Sequence, residues 1–299
     1  MIVRTDKHLF STLTAIKGSI AKRIAWRCIM VTALASLIVL MEMHYPSWFT
    51  RVSATPFTLL GLSLSIFMSF RNNACYTRWW EGRQLWGKII VEIRSFARES
   101  VAIADPQERQ AMLRRLCGFA NALNARLRGE DEHQAAQAWV NPMPDRHADN
   151  LSDAILRQLG ERCSQLAAEQ QISEWRYITL EQRLVGLSEA QANCERIKTT
   201  PLPFPYTLLL HRTIFIFCLL LPFAMAEPLG WLAPLFTAIV SYTFFGLDAI
   251  GNELEEPFGR DENDLPIDAM VRTIEREILC ALGDDILPPP LEPIDYVLS

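Results

Sequence analysis

The sequence lacks the short motifs that mark common enzyme classes. It contains no GxxxxGK[ST], GxGxxG, GxSxG or HExxH pattern, and its five His are scattered along the chain. Its seven Cys are scattered too, without a CxxC pair, which favours reduced thiols over disulfides or a zinc site. These absences argue against P-loop, dinucleotide-binding, serine-hydrolase and zinc-protease functions, and we expect a protein that is not an enzyme.

Charge is also scarce. Only 21% of the 299 residues are charged, 50% are hydrophobic and the net charge is −5. A net acidic chain is a poor nucleic-acid binder, so no nucleic-acid partner is expected. This composition permits either a soluble helical protein or a membrane protein with a large aqueous part.

Four long apolar segments occupy residues 28–41, 56–70, 203–226 and 229–247. A helix needs about 20 apolar residues to cross a bilayer. The third and fourth segments are long enough, and the first and second reach that length only when the helix continues into their flanks. The flanking charges are unequal: basic residues precede the first segment and follow the second, namely Arg4, Lys7, Lys17, Lys22, Arg23, Arg27, Arg71, Arg78, Arg83 and Lys88. The turn between the third and fourth segments has no Lys or Arg. By the positive-inside rule this predicts four spans with both termini cytoplasmic, whereas the alternative is a soluble all-α core.

The remaining sequence predicts amphipathic helices and no strands. One begins after Asp105, whose side chain is a suitable N-cap for the Pro106 turn. Residues 57–104 contain no Pro, so one helix can continue from the second apolar segment. Four regions are predicted: 1–70 as an N-terminal amphipathic segment with two spans, 71–202 as cytosolic helices, 203–250 as two further spans, and 251–299 as a cytosolic helix with a tail. The tail "DDILPPPLEPIDYVLS" is too rich in Pro for a helix.

Three stretches, "RWWEGRQLWGKI", "CERIKTTPLPFPYTLLLHR" and "EEPFGRDENDLPIDAM", together resemble the bacterial branch of the bestrophin family. The resemblance implies an all-α membrane protein with four transmembrane helices per subunit and a cytosolic helical bundle, assembled as a homopentamer around a central pore. It implies an ion channel of the bacterial inner membrane, with the bilayer and its own copies as partners.

The resemblance also assigns pore residues. The family's apolar neck on the second transmembrane helix falls on Leu62, Ile66 and Phe70, and a second, cytosolic constriction falls on Leu180, or on Ile178 if the alignment shifts. Rings of apolar side chains resist wetting and can gate ions. Bacterial members imply conduction of monovalent cations without a required cofactor. The alternatives are an anion channel or, in another class, a membrane-anchored enzyme or scaffold.

The acidic run after the fourth segment admits two interpretations. Glu253, Glu256, Asp261 and Asp264 match positions near the calcium clasp of animal relatives, so a weak site for Ca²⁺ or another divalent ion is one of them. The favoured interpretation is that these acidic residues cap the start of the following helix.

The third apolar segment contains two ionisable side chains. His211 and Arg212 are expected to point into the subunit and to pair with Asp248 or Glu42, because lipid solvates charge poorly.

Overall fold

In this computed structural model the described residues, 1–3, 18–45, 53–144 and 149–299, are dominated by α-helix. Nine α-helices occur among them: α1 (Ala21–His44), α2 (Thr55–Glu99), α3 (Pro106–Arg128), α4 (Glu132–Ala136), α5 (Leu151–Ala168), α6 (Glu174–Thr199), α7 (Phe204–Leu229), α8 (Ala233–Glu255) and α9 (Ile267–Leu282). Strand-like pairing among these residues is limited to isolated bridges of Val297 with Ile2 and Ile294. The predicted all-α class is confirmed.

The chain divides into two compact units. The apolar unit comprises Thr5–Trp79 and Pro201–Glu256, and the bundle unit comprises Met1–Arg4, Trp80–Thr200 and Pro257–Ser299. The boundaries fall after Trp79, Thr200 and Glu256, compared with predicted region boundaries after residues 70, 202 and 250. Residues 4–17, most of the predicted amphipathic N-terminal segment, lie outside the described residues, as do residues 46–52 between the first two apolar segments.

The apolar unit packs α1, α7, α8 and the first half of α2 around a main core, and a smaller cluster joins α1, α7 and the start of α8. The main core includes Ile24 and Val31 of α1, Leu64 and Met68 of α2, and Phe217, which meets Phe244 edge to face at 5.2 Å. Among the described residues, two helical stretches are long and apolar enough to cross a membrane: Ala21–His44 and Phe204–Glu255, the second of which contains both α7 and α8.

Helix α2 runs without interruption through 45 residues. The absence of Pro after its first turn allows this continuity, as predicted. Its residues up to Trp79 belong to the apolar unit and those from Trp80 belong to the bundle unit. The helix is therefore both a predicted membrane element and part of the predicted aqueous bundle.

The bundle unit is built around α3, which is buried along most of its length and contacts α4, α5, α6 and α9. The predicted cap is confirmed: the Asp105 carboxylate accepts a hydrogen bond from the Gln107 N–H at 2.9 Å. Asn150 and Ser173 cap α5 and α6 in the same way. Local side-chain caps thus define the first turns of three bundle helices.

The tail after α9 is not helical, which confirms that prediction. Its backbone carbonyls at Pro288 and Pro289 accept hydrogen bonds from Arg276 and Arg272 of α9. Near its end, the Val3 N–H donates to the Tyr296 carbonyl at 2.8 Å. Extended backbone in this segment therefore satisfies part of its hydrogen bonding within the bundle unit.

Candidate functional site

Helix α2 carries an exposed apolar stripe at the predicted neck. Leu62, Ile66 and Phe70 are 61%, 48% and 65% exposed in the single chain. The four-residue spacing places all three on one face of the helix. Exposed Ser65 and Ser69 flank the stripe, and exposed Asn73 and Thr77 continue it with polar side chains. The stripe is thus apolar over two turns and polar afterwards.

The opposite face of α2 packs into the apolar unit. Leu64, Met68, Arg71 and Cys75 are all buried on this face, with Arg71 at 0% exposure. An arginine so fully buried needs partners for its charge and for its five N–H donors. These partners come from α8.

The Arg71 guanidinium binds a line of acceptors on α8. Its Nη1 donates to the Asp248 carboxylate at 3.0 Å. Its Nη2 donates to the Asn252 side-chain oxygen and lies 3.6 Å from a Glu255 carboxylate oxygen. Asp248 is 2% exposed, so this is a buried ion pair. One buried donor of Arg71, Nε, has no hydrogen-bond partner among the described residues.

His211 of α7, whose side chain is 36% exposed, joins this network at its edge. Its Nδ1 lies 2.8 Å from the second carboxylate oxygen of Asp248, which confirms the predicted pairing with Asp248 and leaves Glu42 out of it. The companion prediction for Arg212 is wrong for the single chain, because Arg212 lies on the exposed face of α7. Adjacent residues of a helix point about 100° apart, so both could not face the same interior.

Two neighbouring residues fit tightly against the network. Asn72 donates from its Nδ2 to the Leu247 carbonyl at 2.9 Å. A Cβ added at Gly251 would lie 2.6 Å from Asn72 Oδ1 and 3.0 Å from Arg71 Nη1. Only the missing side chain of Gly251 lets α2 and α8 approach this closely.

At the predicted second constriction the structure separates the two alternatives. Leu180 is fully buried within the bundle unit, so its side chain is core packing. Ile178 is 45% exposed on the first turns of α6. Of the two residues, only Ile178 has its side chain on the surface of the subunit.

The four acidic residues of the possible metal site do not form one cluster. Glu253 lies 3.3 Å from Arg23 of α1, and Asp264 accepts a hydrogen bond from the Asp261 N–H at 2.8 Å. Glu253 and Glu256 belong to the apolar unit, and Asp261 and Asp264 to the bundle unit. Within the described ranges, no three His, Cys, Asp or Glu side chains form a group suited to a metal ion.

Three thiols of the bundle unit, those of Cys117, Cys163 and Cys194, are buried packing groups. Burial raises the pKa of both Cys163 and Cys194 to about 12, so both stay protonated at neutral pH and are poor nucleophiles. Among all seven Cys, which are free thiols, Cys280 is the exposed one.

The sequence alone places Arg71 among the basic residues beside the membrane and gives no sign of its buried ion pair. Its spacing indicates burial only: Leu64, Met68 and Arg71 recur at intervals of four and three residues, so Arg71 continues the packed face of the helix.

Comparison with solved structures supports the same architecture. A bacterial bestrophin homologue from Klebsiella pneumoniae superposes with a TM-score of 0.83 at 32% identity, covering 88% of this chain and 100% of that one. A related crystal structure described as a membrane protein, S19A, covers 89% of this chain with the same TM-score. The fold is therefore shared along nearly all of the solved chains.

Sequence relatives extend over the whole chain. A Mesorhizobium japonicum protein named voltage-dependent anion channel-forming protein mll4386 is 39% identical over 298 residues, covering 99% of this chain and 96% of its own. The Escherichia coli K12 protein YneE, also named a voltage-dependent anion channel-forming protein, is 33% identical, and the match covers 98% of this chain and 98% of YneE. The sequence model described as bacterial/fungal bestrophin protein matches residues 1–280. This chain belongs to the bestrophin family of ion channels.

Proposed function

We propose that five copies of this chain form a channel of the bacterial inner membrane, gated at a neck made by Leu62, Ile66 and Phe70. One observation carries the proposal: these three side chains are exposed on α2 while the opposite face of the same helix is buried. Around a fivefold axis each position becomes a ring of five apolar side chains. Such rings return no hydrogen bonds to water or to a hydrated ion, so a small change in radius alters conduction steeply.

The mixed character of the stripe favours a pore over lipid contact. Ser65 and Ser69 flank the apolar residues, and Asn73 and Thr77 follow them on the same side of α2. Polar side chains facing hydrocarbon are costly, whereas polar side chains facing a water-filled passage are solvated. A second narrowing of the pore is proposed at Ile178, because its apolar side chain, like those of the neck, is exposed in the single chain.

Monovalent cations are the proposed permeant ions. Each chain has a net charge of −5, so a pentamer carries an acidic potential that concentrates cations near its entrances. No metal or cofactor is required for conduction in this proposal. A divalent cation near Glu253, Glu256, Asp261 or Asp264 would act as a modulator at most.

Anion conduction is the second candidate, and one observation favours it. Curated relatives from several bacteria are named voltage-dependent anion channel-forming proteins. The bilayer topology is the same for either ion: α1, α7, α8 and the first part of α2 cross the membrane, and both termini are cytoplasmic.

Reconstitution of the purified protein in planar bilayers tests the function. We expect Ile66→Ala and Phe70→Ala to raise the current, because smaller rings leave a wider and wetter neck. Phe67→Ala is the matched control, since Phe67 is also exposed on α2 but lies off the stripe. Unchanged current in both stripe variants would remove these residues from the gate.

The same recordings identify the ion. In a KCl gradient the reversal potential of a cation channel moves toward the Nernst potential of K⁺, and that of an anion channel toward the potential of Cl⁻. A shift toward Cl⁻ would replace the cation assignment with the anion one and leave the neck in place.

A further inference from the structure

We propose that Arg71 is a positioning residue for the neck: its guanidinium fastens the turn of α2 after Phe70 to α8 and holds the neck narrow. The inference rests on the proposed function, because only a conducting pore can report its effect. Arg71 follows Phe70 directly, so a rotation of α2 at this turn moves both side chains together.

The acceptors on α8 share one face. Asp248, Asn252 and Glu255 recur at intervals of four and three residues, so they lie above one another along α8. The planar guanidinium donates to two of these residues, Asp248 and Asn252, in fixed directions, which restricts both the rotation and the height of α2 on α8. Arg71 is therefore suited to setting the position of the helix.

Stability alone is a weak reason for such an arrangement. Removing two charges from water is costly, and well-packed apolar residues often replace a buried ion pair without loss of stability. The network also contains two carboxylates for one guanidinium, with His211 against the far side of Asp248. Unlike an apolar contact, the charged network fixes the position of α2 on α8.

Gly251 offers a way to disturb the contact without removing any charge. A methyl group at this position would overlap Asn72 Oδ1 at 2.6 Å and crowd Arg71 Nη1 at 3.0 Å. Either the guanidinium or the helix must then move. Gly246 is a matched position on the same helix, because its added Cβ would meet only Ile24 Cδ1, at an ordinary 3.8 Å.

The first experiment compares these two glycines in single-channel recordings. We expect Gly251→Ala to raise the open probability roughly fivefold or more, the lower range for coupled sites, and Gly246→Ala to leave it unchanged. Both substitutions gain the same intrinsic helix propensity, so propensity cannot account for a difference. Equal open probabilities in the two variants would overturn the proposal.

The second experiment separates positioning from folding. Arg71→Met leaves Asp248 and Glu255 without their counter-charge and should lower the thermal unfolding temperature of the purified channel. Adding Asp248→Asn removes one of these charges and should recover part of that temperature. We expect the open probability to stay raised in the double variant, because the fastening contact is still missing. A double variant with native open probability would contradict the proposal.

Comparison with Phe70→Ala distinguishes this inference from the proposed function. If Phe70→Ala raises the current while Gly251→Ala and the Arg71 variants gate as the native channel does, the neck stands and the positioning role is wrong. If the native protein conducts no ions, both proposals fail together.

Discussion

Charged side chains in the bundle unit are paired across helices, and Asp268 in the first turn of α9 is the clearest case. Arg128 of α3, 2% exposed in its side chain, donates to the Asp268 carboxylate. Asn124 adds a hydrogen bond at 2.7 Å. Burial alone would raise the pKa of Asp268, but the hydrogen bonds from Arg128 and Asn124 and the positive charge of Arg128 outweigh it and hold the pKa below the ordinary value. Folding therefore favours the ionised form.

The lowered pKa of Asp268 predicts how the stability of its contact with Arg128 changes in acid. Stabilisation is fully present above the unfolded-state pKa of Asp268 and is lost as the pH falls through the lower folded-state pKa. We expect Asp268→Asn to lower the free energy of unfolding by roughly 1.5–3 kcal/mol at pH 7, the range for hydrogen bonds to charged groups, and by less in acid. Thermal unfolding between pH 3 and pH 7 measures the difference. Asp285→Asn, at an exposed tail position, is the control, and a gap that widened in acid would contradict the assignment.

Individual residues also show where sequence reasoning ended. Asp105, Asp248 and His211 could be assigned because capping and charge pairing in a membrane segment leave few choices. Leu180 and Ile178 could not be separated, because two apolar residues two positions apart look alike until the packed face of α6 is known. For Arg71 the sequence predicts a place at the membrane surface, since a basic residue after an apolar run usually lies there.

At the scale of helices, α3 shows how little room the bundle unit leaves. A Cβ at Gly118 would lie 2.2 Å from Val140 Cγ2 and 3.5 Å from Trp139 Cβ, in the segment that follows α4. Val is β-branched and stiff, so the segment itself would have to move.

We therefore expect Gly118→Ala to lower the free energy of unfolding by about 1–3 kcal/mol, the usual cost of overpacking. Gly160→Ala in α5 is the comparison, because its nearest foreign atom is Glu181 Oε2 at 3.6 Å. That variant should be neutral or slightly stabilising, through helix propensity alone. Denaturant unfolding in detergent measures the free energy of unfolding of both variants. Equal free energies would show that the segment around Val140 moves aside at little cost.

Helices with strong periodicity or capping were predictable, and short ones were not. The helix after Asp105 and the long continuation of α2 appear where the sequence predicts them. A late helix, α9, forms too, but the expected capped start in the acidic run is wrong, because α9 begins at Ile267 after Pro266 without a side-chain cap. Helix α4 spans only five residues and carries no apolar repeat, so its formation depends on packing against α3. Helix α6 runs as one element of 26 residues.

At the scale of the whole molecule, many large apolar side chains of α1, α2, α7 and α8 are exposed in the single chain. Trp26, Ile29 and Leu37 of α1 are more than half exposed, as are Leu62 and Phe70 of α2. Large exposed apolar areas mark contact with lipid or with other chains. The proposed pentamer divides this surface between the bilayer and the subunit contacts.

Native mass spectrometry of the detergent-solubilised channel tests the assembly. We expect one dominant species containing five copies of the 34.1-kDa chain, stable on dilution because subunit contacts replace lipid contacts. A second detergent serves as the control for detergent-induced association. A predominantly monomeric species in both would refute the pentamer and with it the neck.

The exposure of Cys280 has a practical consequence. Five of the other six thiols are buried and Cys28 is partly so, which leaves Cys280 as the thiol most open to a maleimide dye under mild conditions. A natural labelling handle at the end of α9 allows fluorophores to be attached without engineering the chain. Stepwise photobleaching of single particles would then count subunits inside a lipid nanodisc, where each dye disappears as a separate loss of intensity.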